Sequence, residues 1–343
     1  MKIYILNTVE IGLDITDFLK KELNISGIIG LSKREKTDAI SGYVYCGDYA
    51  EKNNIEFIEV NSYTLNNEED KAKILGLDID ILIVAGWQRL IPQWLINHCK
   101  ICAIGSHGSA YGITGGRGRS PQNWALILGK KEFFISIFKI DSGIDSGQII
   151  DTEKYVLNEF DDIKTSYYKV CCLMSNMVIK NIRNNNILSQ NFTEQDGEAN
   201  YLPQRTPEDG QIDWSKNNFE IYNFIRALTK PYPGAHSLYN GEKIIIWKAR
   251  IFDLNIHNEK SYANGEIIKL FNNGDFLIKT GEGLLLIEEY DTNAALKEGF
   301  ILESADFKRQ INNIIERHYK KYPDLKVSGD LIKLSGNEVN QYS

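Results

Sequence analysis

A chain of 343 residues that is 43% hydrophobic is long enough for two or three packed cores and too apolar to be disordered. Its net charge of −7 excludes a protein that wraps nucleic acid on a basic surface, although local basic patches remain compatible with it. Five cysteines without disulfide-framework spacing, no signal-peptide pattern at the N-terminus and no run of 18 apolar residues lead to the expectation of a cytoplasmic chain outside the membrane. The pair Cys99-x-x-Cys102 lies on an apolar run and reads as core rather than as a redox or zinc motif, and no metal site is expected.

Residues 2–6 form a short apolar strand closed by Asn7, and Phe18, Leu19 and Leu23 give residues 16–23 helical spacing. Residues 25–31 read as a second strand. The charged run 32–38 follows it, where an open α/β sheet keeps its ligand loops, so Lys33 and Arg34 are candidate phosphate or sugar contacts. Such a run is also what an ordinary solvated loop looks like. No Gly-x-Gly-x-x-Gly follows the first strand, which argues against a dinucleotide cofactor.

A helical turn over 48–53, a strand over 55–60 and a doubly buried strand over 78–86 come next. Gln88, Arg89, Leu90 and Ile91 leave that central strand at its C-terminal edge, where backbone meets planar ligands. Residues 101–104 are the following strand, which breaks into the word Gly105-Ser106-His107-Gly108-Ser109. A helix over 124–128 is closed by Gly129, and a strand over 133–139 leads into Asp141-Ser142-Gly143-Ile144-Asp145-Ser146-Gly147, a loop with two aspartates between glycines. Helical periodicity from Tyr167 to Ile179 closes an open α/β domain over 1–190. A linker spans 191–215. A helix over 219–228 and four short strands between 244 and 288 suggest a small β-rich domain over 216–303, and a helical, polar extension occupies 304–343. Exposed apolar residues in so small a second domain would suit a homodimer.

Several separated words together resemble one family. His107-Gly108-Ser109, Arg117-Gly118, Pro121, Trp124-Ala125-Leu126 and the loop 140–147 are similar to the catalytic core of the 10-formyltetrahydrofolate-dependent formyltransferases. The stretches 204–214 and 225–235 resemble the linker and second-domain words of methionyl-tRNA formyltransferases and sugar N-formyltransferases. The likeness runs over about residues 1–290 and leaves the tail beyond Glu303 uncovered. It implies an open Rossmann-like parallel sheet followed by a small β-barrel of OB-like form, and 10-formyltetrahydrofolate as cosubstrate.

The chemistry so implied is attack of an amine on a formyl carbon, in which an oxyanion develops and the amine loses a proton. An imidazole takes that proton or stabilises the charge, and a carboxylate orients the ring. The resemblance assigns these roles to His107 and Asp145, and places Asp141, Gly143 and Ile144 in the folate-lining loop. Two departures stand out. Where the family has Asn-x-His, this chain has Gly105, and loss of one oxyanion donor costs roughly 2.7–4 kcal/mol of transition-state stabilisation. Ser106, a backbone N–H or Asn123 would have to replace it, with Asn123 preferred because Ser106 points to the opposite face of a regular strand, or the catalyst is weak or altered. Second, a longer glycine-rich loop follows Ser109, carrying Tyr111, Arg117 and Arg119. Two arginines on a flexible loop suit a diphosphate, and a solvated mobile loop is the plainer alternative.

The amine is expected to belong to a nucleotide-linked amino sugar destined for surface polysaccharide, with no nucleic-acid partner, because the basic insertion and basic second domain expected of a tRNA-binding member are not obvious. A methionyl-tRNA formyltransferase is the alternative enzyme. A catalytically silent folate or sugar-nucleotide binding protein is the third reading, motivated by Gly105.

Overall fold

The computed structural model describes residues 1–33, 40, 42–252 and 261–336. In chain order the elements are β1 (Ile3–Asn7), α1 (Glu10–Leu19), β2 (Ile25–Leu31), α2 (Cys46–Lys52), β3 (Glu56–Val60), α3 (Glu68–Leu75), β4 (Ile81–Val84), α4 (Gln93–His98), β5 (Cys102–Ser109), α5 (Gly112–Gly115), β6 (Arg117–Gly118), α6 (Pro121–Ile127), β7 (Glu132–Lys139), β8 (Ile149–Val156), α7 (Ile163–Arg183) and α8 (Asn186–Ser189). They continue as β9 (Tyr201–Leu202), α9 (Asn218–Leu228), β10 (Ala235–Tyr239), β11 (Glu242–Phe252), β12 (Ile267–Leu270), β13 (Phe276–Lys279), β14 (Leu284–Thr292), α10 (Phe307–Lys321) and α11 (Gly329–Leu334). The chain divides into two compact units, one comprising 1–117, 132–155 and 167–198, the other 118–131, 156–166 and 199–343.

The first unit is built on a seven-stranded sheet of order β3-β2-β1-β4-β5-β7-β8. Alternation along the strands feeds two cores. Ile3, Ile5, Ile81 and Ile83 join Ile15 and Leu19 of α1 and Met174, Met177 and Val178 of α7 on one face, while Tyr4, Leu6 and Leu82 join Ile74 of α3 and Leu95 of α4 on the other. The strands from β3 to β5 are parallel, as the apolar runs predict, but β5 pairs with β7 antiparallel, from Ile104 opposite Lys139 to Ser109 opposite Phe134. Strands β2 and β3 lie on one side of β1 and strands β4 and β5 on the other, so the switch point lies between β1 and β4. An open sheet of this kind has its ligand crevice at the C-terminal ends of such strands.

Two local expectations are corrected, and one strand is new. The first helix spans Glu10–Leu19 rather than 16–23, because Gly12 belongs inside it: a Cβ there would lie 1.8 Å from the Ala85 carbonyl oxygen. The strand expected to stop at Ile104 continues to Ser109, since Gly108 permits close packing rather than breaking the strand; its Cβ would meet Phe133 at 2.4 Å. Strand β8 was not foreseen, since its charged, alternately exposed residues are those of a sheet edge. The cysteines behave as expected of core: Cys99 and Cys102 are buried free thiols, pushed up to about 12 and about 11 by burial.

The second unit carries a five-stranded antiparallel sheet of order β10-β11-β14-β13-β12. Four of these strands were expected, and β10, directly after the Pro233-Gly234 turn, is the addition. Asn217 and Glu220 form a capping box at the start of α9. The extension after Glu303 is more than a polar tail. Asp306 caps α10, whose Ile311, Ile314 and Ile315 are buried, and Arg317 of the same helix pairs with the buried Asp209 at 2.6 Å. Among the described residues no helix is long and apolar enough to cross a membrane.

Candidate active site

Strand β5 places the central residue. It pairs with β4 only over Cys102–Ile104 and then runs on against β7 alone, so from Gly105 onward its β4 edge lies beyond the neighbouring strand. His107 stands on that overhang with its side chain 8% exposed. Its Nδ1 is 3.3 Å from Oδ2 of Asp145, and its Nε2 is 2.7 Å from the carbonyl oxygen of Gly116. A carbonyl only accepts, and so does an ionised carboxylate; both contacts are therefore satisfied together only when both ring nitrogens carry hydrogen. Each neutral tautomer gives up one of them. To take a proton at Nε2, the ring must lose its hydrogen there and part from Gly116.

Asp145 is held in an uncommon conformation. Its φ is +50°, a left-handed geometry that costs a non-glycine residue about 1–2 kcal/mol, and such strain clusters at functional sites. The loop preceding it is tied by Asp141, whose Oδ1 accepts from the Gly143 N–H at 3.0 Å and from the Ser146 hydroxyl at 2.7 Å. Gly143 and Gly147 leave no room for a side chain, since a Cβ would come within 2.1 Å of Ser146 Oγ and 1.7 Å of the Lys139 carbonyl oxygen respectively. Asp141 and Gly143 thus build the exposed loop, with Ile144 half-buried beside Asp145.

Gln88, Arg89 and Leu90 leave β4 at the switch point and are exposed, whereas Ile91 is buried. The Tyr63 hydroxyl accepts from the Gln88 N–H at 3.0 Å, the Arg89 guanidinium sits 5.1 Å from the Tyr63 ring, and buried Trp87 packs edge-on against the same ring at 4.9 Å. Among the described residues the Trp87 indole N–H has no hydrogen-bond partner. Among the residues expected to meet substrate, Lys33 pairs with Asp48 at 3.3 Å and lies 4.1 Å from the Tyr45 ring, and Arg34 lies outside the described residues.

The glycine-rich stretch makes defined contacts. Tyr111 is half-buried with its N–H donating to Ser109 Oγ at 3.0 Å, and residues 112–115 form a helical turn anchored by buried Ile113. Arg117 donates from Nη2 and Nε to Gln195 Oε1, at 2.7 and 3.3 Å. In the second unit, the Arg119 N–H donates to the Leu202 carbonyl at 2.9 Å.

The position where an asparagine was due is tightly packed. A Cβ on Gly105 would lie 3.0 Å from both Ile140 Cγ1 and Phe138 Cζ. Asn123, the preferred replacement donor, belongs to the second unit, where it is buried and its amide nitrogen donates to the Ala227 carbonyl at 2.7 Å; among the described residues its Oδ1 has no hydrogen-bond partner. That hydrogen bond gives the side chain a structural task within its own unit.

Two residues went unnoticed in the sequence. Gly116 supplies the carbonyl on the imidazole, and Gln195, in what read as linker, donates from Nε2 to the carbonyls of Asp145 at 2.7 Å and Gly147 at 2.8 Å. Gly116 lies inside the glycine-rich loop, nine residues from His107, with nothing local to mark its carbonyl as the ring's partner, and Gln195 acts across 50 residues.

The formyl transferase family model matches residues 33–182, and that of the formyl transferase C-terminal domain matches 205–297. Methionyl-tRNA formyltransferase of Caldanaerobacter subterraneus is 30% identical over 237 residues, covering 68% of this chain and 73% of that protein. The chain belongs to the formyltransferase family. This bears out the expectation of a formyl-transfer enzyme. The bifunctional polymyxin resistance protein ArnA of Wigglesworthia glossinidia brevipalpis is 35% identical over 175 residues, half of this chain and 26% of that one. In three dimensions the formyltransferase is similar to an N-formyltransferase from Helicobacter canadensis in complex with folinic acid and dTDP-3-aminofucose, with TM-score 0.57 and 19% identity over 85% of this chain and 100% of that one. It is also similar to HypX from Aquifex aeolicus in complex with tetrahydrofolic acid, with TM-score 0.60 and 16% identity over 95% of this chain. It spans about half the length of HypX, 48%, and at such identities these likenesses speak for the fold.

Proposed function

We propose that this formyltransferase moves the formyl group of 10-formyltetrahydrofolate to the amine of a nucleotide-linked amino sugar, in the synthesis of a surface polysaccharide. The carrying observation is the imidazole–carboxylate pair of His107 and Asp145 on the overhang of β5. In this reading Nε2 of His107 takes the proton released by the amine, and Asp145 orients the ring and stabilises its charged form. The cosubstrate supplies the formyl carbon. Residues at the switch point fit a flat heteroaromatic ring: the exposed run Gln88–Leu90 offers backbone and is backed by the buried Trp87–Tyr63 pair. Ile91 and the loop bearing Asp141, Gly143 and Ile144 complete that set. Lys33, Arg34, Tyr111, Arg117 and Arg119 are the candidates for the nucleotide end of the acceptor.

The acidic net charge of −7 favours a small acceptor over a polyanionic one, and the likeness to a structure holding dTDP-3-aminofucose points the same way. The 30% identity to a methionyl-tRNA formyltransferase favours a second reading, with charged initiator tRNA as acceptor. A turnover assay with 10-formyltetrahydrofolate against UDP- and dTDP-linked 3-amino and 4-amino sugars, run beside charged initiator tRNA, separates the two. Transfer to tRNA and to no sugar sinks the first reading. Binding of folate and sugar nucleotide without transfer to any acceptor favours the silent binding protein.

A further inference from the structure

The Gln195 side chain touches both of the segments that flank the His107 ring. From Nε2 it donates to the carbonyls of Asp145 and Gly147, at 2.7 and 2.8 Å, which fixes the left-handed turn that presents the Asp145 carboxylate to Nδ1. At Oε1 it accepts from Arg117 at 2.7 and 3.3 Å and from the Thr114 hydroxyl at 3.2 Å, on either side of Gly116, whose carbonyl meets Nε2. The amide is itself held in place. Thr193, two residues earlier, forms an antiparallel bridge with Ile149, with backbone hydrogen bonds of 2.7 and 2.9 Å, and Gln148 donates to Glu194 at 2.6 Å.

We propose that Gln195 is a positioning residue for the His107–Asp145 pair, setting the hydrogen-bond partners of both imidazole nitrogens at once. This rests on the reading of that pair as the catalytic one. The amide suits the task because it both donates and accepts. A glutamate would keep the arm to Arg117 and Thr114 and lose the donors to the Asp145 turn; a methionine would lose both arms at similar volume. The Gly116 carbonyl adds a consequence. With its shoulders tied to Gln195, the glycine turn holds Nε2 occupied, and the acceptor amine must displace that carbonyl to reach the ring.

The test uses the full chain with ring-nitrogen-labelled histidine, followed by NMR across pH, beside steady-state kinetics. Gln195→Glu and Gln195→Met are expected to move the His107 titration midpoint and its ring-nitrogen shifts while those of His236 and His318 stay put, and to lower kcat about 10- to 100-fold with KM changed little, as misplacement of a catalytic group does. In an Asp145→Asn background, Gln195→Glu should add little further change to the His107 signals. Thr114→Val serves if either Gln195 variant fails to fold, and should move the Nε2 signal alone. Folded Gln195 variants with unchanged His107 signals overturn the proposal, even if kcat falls, because the residue would then be merely structural. The NMR reading needs no acceptor, so it stands apart from the functional assignment: full turnover by His107→Ala would instead refute the role of the pair.

Discussion

Replacing Gly105 by asparagine restores the residue the family places two before its histidine, and the structure gives a definite expectation for it. An asparagine able to reach the developing oxyanion should recover the roughly 10²–10³-fold that one such donor contributes to kcat. The space is tight, however, since the new Cβ would stand 3.0 Å from both Ile140 and Phe138 before any amide atom is added, so both side chains must give way. Forcing atoms into a packed site costs about 1–3 kcal/mol, and an amide buried without partners costs about 1–3 kcal/mol more. Removing a glycine from a strand returns only about 0.5–1 kcal/mol. The net expectation is a destabilisation of about 3 kcal/mol, which for a domain of this size lowers Tm by roughly 6–12 °C. Gly105→Asn should therefore melt earlier and turn over no faster, and Gly105→Asn/Ile140→Ala should recover part of the lost Tm. Thermal denaturation and single-turnover kinetics with 10-formyltetrahydrofolate check both halves. An unchanged Tm with a hundredfold faster rate would refute the argument, showing that this strand accommodates the amide and aims it at the reacting carbon.

Further outcomes follow from the same geometry. His107→Ala and Asp145→Asn should each lower kcat by about 10²–10⁴-fold, and the double variant should fall far short of the product of the two; full additivity in steady-state rates would separate their roles. Burial in the second unit pushes the His236 imidazole down to about 4. The unfolded chain then binds a proton that the folded chain refuses between the ordinary value near 6.5 and 4, so stability is complete above pH 6.5 and falls as pH drops through that window, by about 1–3 kcal/mol. His236→Asn should flatten this part of the stability profile, and urea titrations giving equal slopes for both proteins would contradict it. Arg317→Ala removes the ion-pair partner at 2.6 Å from the buried Asp209 carboxylate and leaves it the nearby Arg205 charge; because Arg317 is itself partly exposed, the loss should be about 1–3 kcal/mol, read from urea midpoints. Ending the chain at Glu303 should do more, because it uncovers the apolar faces against which Ile311, Ile314 and Ile315 of α10 pack, and a truncated chain as stable as the whole would show the extension to be dispensable.

The sequence by itself determined the elements whose physics is local or periodic. Apolar runs such as 25–31 and 78–86 read as buried strands, and the structure has strands at Ile25–Leu31 and Ile81–Val84; the periodicity from Tyr167 to Ile179 reads as a helix; and words such as His107-Gly108-Ser109 and Asp141-Ser142-Gly143-Ile144-Asp145 carry chemistry that few backbones offer. Only the tertiary structure decided what those residues meet. Gly12, Gly105 and Gly108 each look like a break along the chain, yet each is set by an atom far away in sequence that leaves little or no room for a Cβ. The antiparallel pairing of β5 with β7, which carries His107 past the end of β4, rests on hydrogen bonds between segments some thirty residues apart, for which local propensity has no signal. The hydrogen bonds that Gln195 donates to Asp145 and accepts from Arg117 span 50 and 78 residues, and a glutamine in a polar linker looks like any other until the fold brings its two ends to two loops.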